Sequence, residues 1–240
     1  LDGKAIAERI KRELLAEIQC FGDRRPLLAI ISFDTPTSQL YLGAQLKQAK
    51  LLGIAVNCVD FRFPWTVAQE QLESTIIGLN QGQMHGVFVH QPMPPQIDAQ
   101  RISALIDPRK DIEGIHPQNM ARRFFAKARI GSCTALAVMR LIEETGVALE
   151  GKEAVVIGHS EIVGRPVSML LLDQLATTTV CHVETDKAGR LEDHVRRAEV
   201  LVVAVGRPQF IKGSWIRPGA VVIDVGINVV GGRVVGGVEF

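Results

Sequence analysis

The stretch Val155-Val156-Ile157-Gly158-His159-Ser160-Glu161-Ile162-Val163-Gly164-Arg165-Pro166 decides how the chain is read. A short apolar run turns on a glycine and becomes the first turn of a helix. Beyond it, Val163, Val167, Leu170 and Leu171 recur at i, i+4, i+7 and i+8, the apolar stripe of an amphipathic helix. A strand, a glycine turn and a helix N-terminus together form a cradle for a pyrophosphate. There the backbone N–H groups face the ligand and the helix dipole favours negative charge. The spacing is G-x-S-x-x-x-G and not G-x-G-x-x-G, so a tight turn in an unrelated α/β domain stays open on this stretch alone.

Working outward, strand and helix patterns alternate on both sides. Toward the N-terminus, Ile6, Ile10, Leu14 and Ile18 mark an opening helix, and Leu27 to Ile31 a buried strand. A helix follows over 36–52, closed by Gly53, then a strand over 54–61, a helix over 67–79 and a strand over 86–89. The prolines of Gln91-Pro92-Met93-Pro94-Pro95 stop that last strand, because proline cannot continue a ladder. A polar helix near 98–105 precedes the loop Asp107 to Gly114. Residues 117–133 show weak periodicity and read as a connecting region, and a helix starts at Thr134. Toward the C-terminus the pattern predicts strand 153–157, helix 163–175, strand 177–182, helix 190–197 and strands 200–205 and 220–225. The fold class is therefore α/β, with two parallel-sheet units and a cleft between them.

Composition excludes several functions. The formal net charge of +1 gives no broad field for nucleic acid or an anionic membrane. No apolar run approaches the ~20 residues of a membrane span. Cys20, Cys58, Cys133 and Cys181 lie far apart without a CxxC pair, so neither a zinc site nor a disulfide framework is expected, and no metal is assigned. With no secretory leader legible from Leu1, a reducing cytoplasm is expected.

Several side chains are candidates for chemistry. Tyr41, the single tyrosine of 240 residues, lies in the first turns of the second helix, with Gln45 one turn on upon the same face. Such a tyrosine is ordinary amphipathic packing unless something else marks it, and a solvated face is the plain reading of Gln45 and Lys47. His90 and Gln91 end the third strand, where ligands of open α/β sheets bind; a histidine simply capping the strand is the rival reading. Lys110-Asp111-Ile112-Glu113-Gly114 places carboxylates on a loop, which by itself reads as solvated.

These pieces occur in a recognisable order. Ser38-x-x-Tyr41, Val89-x-x-Pro92-x-Pro94 and Pro108-x-Lys110-Asp111-x-x-Gly114-x-His116-Pro117 come first. Cys133-Thr134, Gly158-x-Ser160-x-Ile162-Val163-Gly164-Arg165-Pro166, Val203-Ala204-Val205-Gly206-x-Pro208 and the run from Trp215 through Gly226-Ile227-Asn228 follow. Over essentially its whole length the chain resembles the bifunctional methylenetetrahydrofolate dehydrogenase/methenyltetrahydrofolate cyclohydrolase family. The resemblance implies a folate-binding catalytic domain over 1–116 and an NAD(P)-binding Rossmann domain over 117–240. It also implies a homodimer that oxidises methylenetetrahydrofolate with NADP or NAD and hydrolyses the methenyl product. Carried over by position, Ser38, Tyr41, His90 and Glu113 would line the folate site, with Tyr41, Gln45 and His90 at the chemistry. Gly158, His159, Ser160, Ile162, Gly164, Glu184 and Ile227 would meet the cofactor.

Departures from the family pattern gather at the chemistry. Gln45 stands where the family has the lysine of its acid/base steps, His90 where it has a glutamine, and Glu113 where it has the aspartate that grips the pterin. The P-C-T-P turn reads Ser132-Cys133-Thr134-Ala135, and Phe240 stops short of the family's glycine- and proline-rich segment and closing helix. A glutamine amide hydrogen-bonds but does not exchange protons usefully near neutral pH. The expectation is a dehydrogenase with weak or lost cyclohydrolase. Two readings stand beside it: a non-catalytic paralogue that binds folate or dinucleotide as an interaction protein, and an oxidoreductase of another small substrate. NADP-dependent members commonly carry an arginine after the first fingerprint glycine and a serine or basic residue beyond the second strand. Here those places hold His159 and His182-Val183-Glu184-Thr185, and the acid leans toward NAD.

Overall fold

The structure is a computed structural model describing residues 1–125 and 130–239. It divides into two compact units, Asp2–Arg122 and Arg123–Phe240, where the sequence reading set its boundary after His116. Both units are α/β with parallel sheets.

The first unit runs α1 (Gly3–Gln19), β1 (Leu27–Phe33), α2 (Pro36–Leu52), β2 (Ala55–Phe61), α3 (Gln69–Gln81), β3 (Gly86–Val89), α4 (Ala99–Leu105) and α5 (Pro117–Phe124). Thr35 starts α2 by accepting the Ser38 N–H at 3.2 Å, and Gly53, at φ 72°, ends it in the left-handed conformation that costs glycine least. The sheet order is β2-β1-β3, all parallel, so β1 is central and Ile31 stands beside both Val59 and Val89. Its two buried faces explain the uninterrupted apolar run from Leu27 to Ile31. Ile31 and Phe33 pack with Leu72 and Ile76 of α3 and Ile102 of α4, each essentially inaccessible. Burying one such aliphatic side chain contributes roughly 1.5–3 kcal/mol.

Two expectations fail in this unit. Residues 117–124 are a helix and not a connector: His116 accepts the Gln118 N–H on Nδ1 at 3.0 Å, and Pro117 suits the first helical position. The helix is short and arginine-rich, which left little periodicity to read; residues 126–129 of the expected connector lie outside the described residues. The loop at 110–114 is not solvated either. Lys110 Nζ donates to the carbonyls of Leu79, Asn80 and Gly82 at 3.1, 2.6 and 2.9 Å, capping the end of α3. Asp111 is fully buried. Its carboxylate accepts the N–H groups of Glu113, Gly114, Ile115 and His116 and the Asn119 amide.

The second unit runs α6 (Cys133–Glu143), β4 (Glu153–Ile157), α7 (Gly164–Asp173), β5 (Thr177–Cys181), α8 (Val183–Lys187), α9 (Leu191–Arg197), β6 (Val200–Val203), β7 (Val221–Asp224), β8 (Asn228–Val230) and β9 (Arg233–Val235). The first four of these strands form a parallel sheet in the order β5-β4-β6-β7. Strands β8 and β9 make an antiparallel hairpin through Gly231 and Gly232, at φ 56° and 77°. Two successive positive φ values are what a two-residue hairpin turn of this hand requires. Neither this hairpin nor the single-turn helix α8 was expected, since three to five residues carry too few periods to register. No described helix is long and apolar enough to cross a membrane.

Candidate active site

In the first unit the strand order reverses between β1 and β3, and ligands of open α/β sheets bind beyond the carboxyl ends of the strands at such a switch point. Three predicted residues meet there. Ser38, on the first turn of α2, brings Oγ to 2.8 Å from Nδ1 of His90, which directly follows β3. The other imidazole nitrogen, Nε2, lies 2.8 Å from Gln45 Oε1. The Phe33 N–H, at the end of β1, donates to Ser38 Oγ at 3.3 Å, and the His90 N–H donates to the Ile31 carbonyl at 2.9 Å. Ser38 and His90 are buried and Gln45 is half-buried. Burial holds the His90 pKa below its ordinary value, partly opposed by the charge of Asp60, so the imidazole is neutral near pH 7.

Tyr41 rises from the same face of α2 as Gln45 and is 54% exposed, so it is not packing into a core. Glu113 reaches the site from the loop behind β3, where the Val89 N–H points at its Oε2 at 3.4 Å. Burial pushes its carboxyl up to about 7; the Val89 N–H opposes this, and the charge of Asp111 adds to it. The four N–H groups and the Asn119 amide on Asp111 fix the backbone that carries Glu113. Asp111 and Lys110 are thus the residues that sequence reasoning undervalued. The only signal was their place inside a recognisable motif.

In the second unit the switch point lies between β4 and β6, where the fingerprint turn sits. Gly158 has φ +120°, and a Cβ there would stand 2.4 Å from the Ala204 carbonyl oxygen at the end of β6. A Cβ on Gly164 would stand 2.1 Å from the Gly158 carbonyl oxygen, so glycine is required at both places. Ser160 Oγ accepts the N–H groups of Val163 and Gly164 at 3.2 and 3.3 Å. Those two donors at the start of α7 are therefore already used. The N–H groups that have no partner among the described residues are those of His159, Ser160, Glu161 and Ile162, on the turn itself. Consecutive free N–H groups on a glycine-bounded turn form an anion-binding concavity, which fits a pyrophosphate.

The remaining cofactor candidates lie around the carboxyl edge of this sheet. The rings of His159 and His182, which follow β4 and β5, have centroids 5.3 Å apart. His182 caps α8 by accepting the Glu184 N–H, and the exposed Glu184 carboxylate is paired with Lys187 at 2.7 Å. Ile162 is 47% and Ile227 69% exposed, Ile227 on the segment after β7. A residue not singled out from sequence is Ser132, which caps α6 and donates from Oγ to the Ile162 carbonyl, tying that helix to the fingerprint turn. Its signal was a serine directly before a helical segment, the residue type favoured at an N-cap. Among the described residues no group of three or more His, Cys, Asp and Glu is placed to hold a metal.

Two switch-point sites, one polar and one built as an anion cradle, define a two-domain α/β protein with a Rossmann-type dinucleotide-binding unit. Residues 132–240 match the NAD(P)-binding domain, and residues 1–113 the catalytic domain, of tetrahydrofolate dehydrogenase/cyclohydrolase. The chain belongs to that family. It is 43% identical over 246 residues to bifunctional protein FolD 2 of Geobacter sulfurreducens, covering all of this chain and 84% of that protein. The crystal structure of FolD from Campylobacter jejuni, a methylenetetrahydrofolate dehydrogenase/cyclohydrolase, superposes with a TM-score of 0.94 at 35% identity, covering 100% of this chain and 85% of that one. The Trypanosoma brucei enzyme, solved with NADP cofactor and an inhibitor, gives 0.92 at 36% identity with the same coverage.

Proposed function

We propose that the protein is an NAD(P)-dependent methylenetetrahydrofolate dehydrogenase whose cyclohydrolase step is weakened. The single observation that carries this reading is Gln45, held by a neutral His90, at the position of the family's acid/base lysine, in a chain that keeps the glycine turn for the dinucleotide. Oxidation transfers a hydride and needs the two reacting rings held together and dry; it does not need a side-chain proton relay. The nicotinamide, when bound, supplies the hydride acceptor. Tyr41 offers an exposed ring to stack on the pterin, and Glu113, once ionised, accepts hydrogen bonds from its amide-like edge. Hydrolysis of the methenyl product needs a proton moved to and from water, and losing a positioned general acid/base typically costs ~10²–10⁴-fold. The Gln45 amide does not give up or take a proton usefully near neutral pH.

A preference for NAD over NADP accompanies this reading. Glu184 places a carboxylate in the first turn after β5, which suits ribose hydroxyls and repels a 2′-phosphate. Its pairing with Lys187 tempers that repulsion, and His159 stands where NADP-dependent members commonly have an arginine. Calorimetric titration of both dinucleotides tests the preference: NADP binding tenfold tighter than NAD would overturn it. The activity itself is tested by following nicotinamide reduction on adding methylenetetrahydrofolate. Absence of reduction with intact dinucleotide binding would instead favour the non-catalytic paralogue.

A further inference from the structure

The hydrogen-bond chain at the first site has a direction. Gln45 Oε1 is a carbonyl oxygen and only accepts, so the proton in its 2.8 Å contact with His90 belongs to His90 Nε2. A neutral imidazole protonated on Nε2 is bare on Nδ1, which then accepts from the Ser38 hydroxyl at 2.8 Å. Ser38 Oγ in turn accepts the Phe33 N–H. Every group is used once: Phe33 N–H to Ser38, Ser38 O–H to His90, His90 N–H to Gln45. The opposite direction fails at Ser38. Oγ has lone pairs for both the Phe33 N–H and a Nδ1–H, but the serine proton would then be left without an acceptor on a residue only 6% exposed. The Gln45 amide nitrogen is the loose end of the chain; it has no partner among the described residues, on the helix face that carries Tyr41 one turn away.

We propose that His90 is a positioning residue that turns the Gln45 carboxamide, so that its NH₂ group faces the bound folate as a neutral hydrogen-bond donor. The inference rests on the folate reading given above and adds to it what the altered pair does. Where a lysine would offer a charged donor that also gives up a proton, the Ser38–His90–Gln45 chain offers a donor fixed in direction and unable to transfer one. Such a donor aids binding and orientation equally in the ground and transition states, so its loss falls mainly on KM.

The test combines a spectroscopic and a kinetic readout on the full chain. Nitrogen-15 NMR of the histidine-labelled protein, with His90 assigned from its missing signal in His90→Gln, is expected to show Nε2 protonated and Nδ1 bare at neutral pH. His90→Ala is expected to raise KM for methylenetetrahydrofolate about tenfold more than it lowers kcat, the loss of one oriented hydrogen bond. His90→Gln, whose amide can donate to Gln45, is expected to recover most of that. A Nδ1–H tautomer would overturn the proposal, because the Gln45 carbonyl would then face the ligand; so would an unchanged KM in His90→Ala. If His90→Ala does not fold, the tautomer in the unmodified protein decides. Failure of the unmodified protein to turn over methylenetetrahydrofolate, with the expected tautomer present, would overturn the folate reading and not the arrangement of the chain.

Discussion

The side chains of Gln45 and His90 meet at 2.8 Å, joining the third turn of α2 to the end of β3 across the switch point of the first sheet. On the reading proposed above, both stand where the family carries other residues, a lysine and a glutamine. An amide that accepts from a buried neutral imidazole has no route for moving a proton, which is why the hydrolytic step is the one expected to suffer.

Restoring a proton-exchanging group should restore hydrolysis. Gln45→Lys is expected to raise the rate of methenyltetrahydrofolate hydrolysis by at least about tenfold, within the ~10²–10⁴-fold that a positioned acid/base contributes. Direct absorbance assays of methenyl loss, with dehydrogenase turnover as control, check it. An unmodified protein that hydrolyses as fast as a lysine-containing relative would contradict the role given to Gln45.

Tyr41 stands 54% exposed on α2, so removing its ring should cost little stability. For Tyr41→Ala the melting temperature should move by no more than about 0.5 kcal/mol implies, while folate affinity falls at least about tenfold. Thermal unfolding and folate titration on the same sample separate the two effects. A large stability loss with unchanged affinity would make Tyr41 a packing residue.

Glu113 gives a pH signature. Its carboxyl is raised from 4.5 to about 7, chiefly by burial, so the folded state holds the proton more tightly than the unfolded chain does. Stability from this group is present in full below pH ~4.5 and is lost as pH rises through about 7, by at most about 3 kcal/mol. Denaturant titrations of Glu113→Gln should lack that loss between pH 5 and 8. If the ionised form grips the pterin as proposed, KM of the unmodified protein should fall as pH rises through 7, and Glu113→Gln should abolish that trend as well.

Gly164 tests the cofactor turn. A methyl placed 2.1 Å from the Gly158 carbonyl oxygen forces the turn to open, at a cost of roughly 1–3 kcal/mol or more in stability. Gly164→Ala should therefore lower the melting temperature and weaken dinucleotide binding at least about tenfold. Unchanged calorimetric affinity would mean that the turn does not hold the pyrophosphate.

Much of this was legible in the sequence, and the failures have physical causes. Long periodic segments such as Leu27 to Ile31 and 36–52 announced themselves through burial on both faces of β1 and through the cap residues Thr35 and Gly53. Gly158 and Gly164 were legible because close backbone approach leaves glycine as the one choice. Helix 183–187 and the hairpin at 228–235 are too short to show a period. Asp111 and Lys110 looked like loop charges because composition does not reveal that four N–H groups and three carbonyls converge on them. Gln45 and His90 were both visible as candidates, but their contact spans 45 residues of sequence, and only the fold brings them to hydrogen-bonding distance.

A single reaction followed at two wavelengths, with methylenetetrahydrofolate and NAD or NADP mixed with the unmodified protein, tests the weakened hydrolysis directly. Reduced nicotinamide is expected to form in step with methenyltetrahydrofolate, which accumulates because its hydrolysis lags behind its formation. Formation of 10-formyltetrahydrofolate with no methenyl accumulation would contradict it, as would the absence of any reduced nicotinamide.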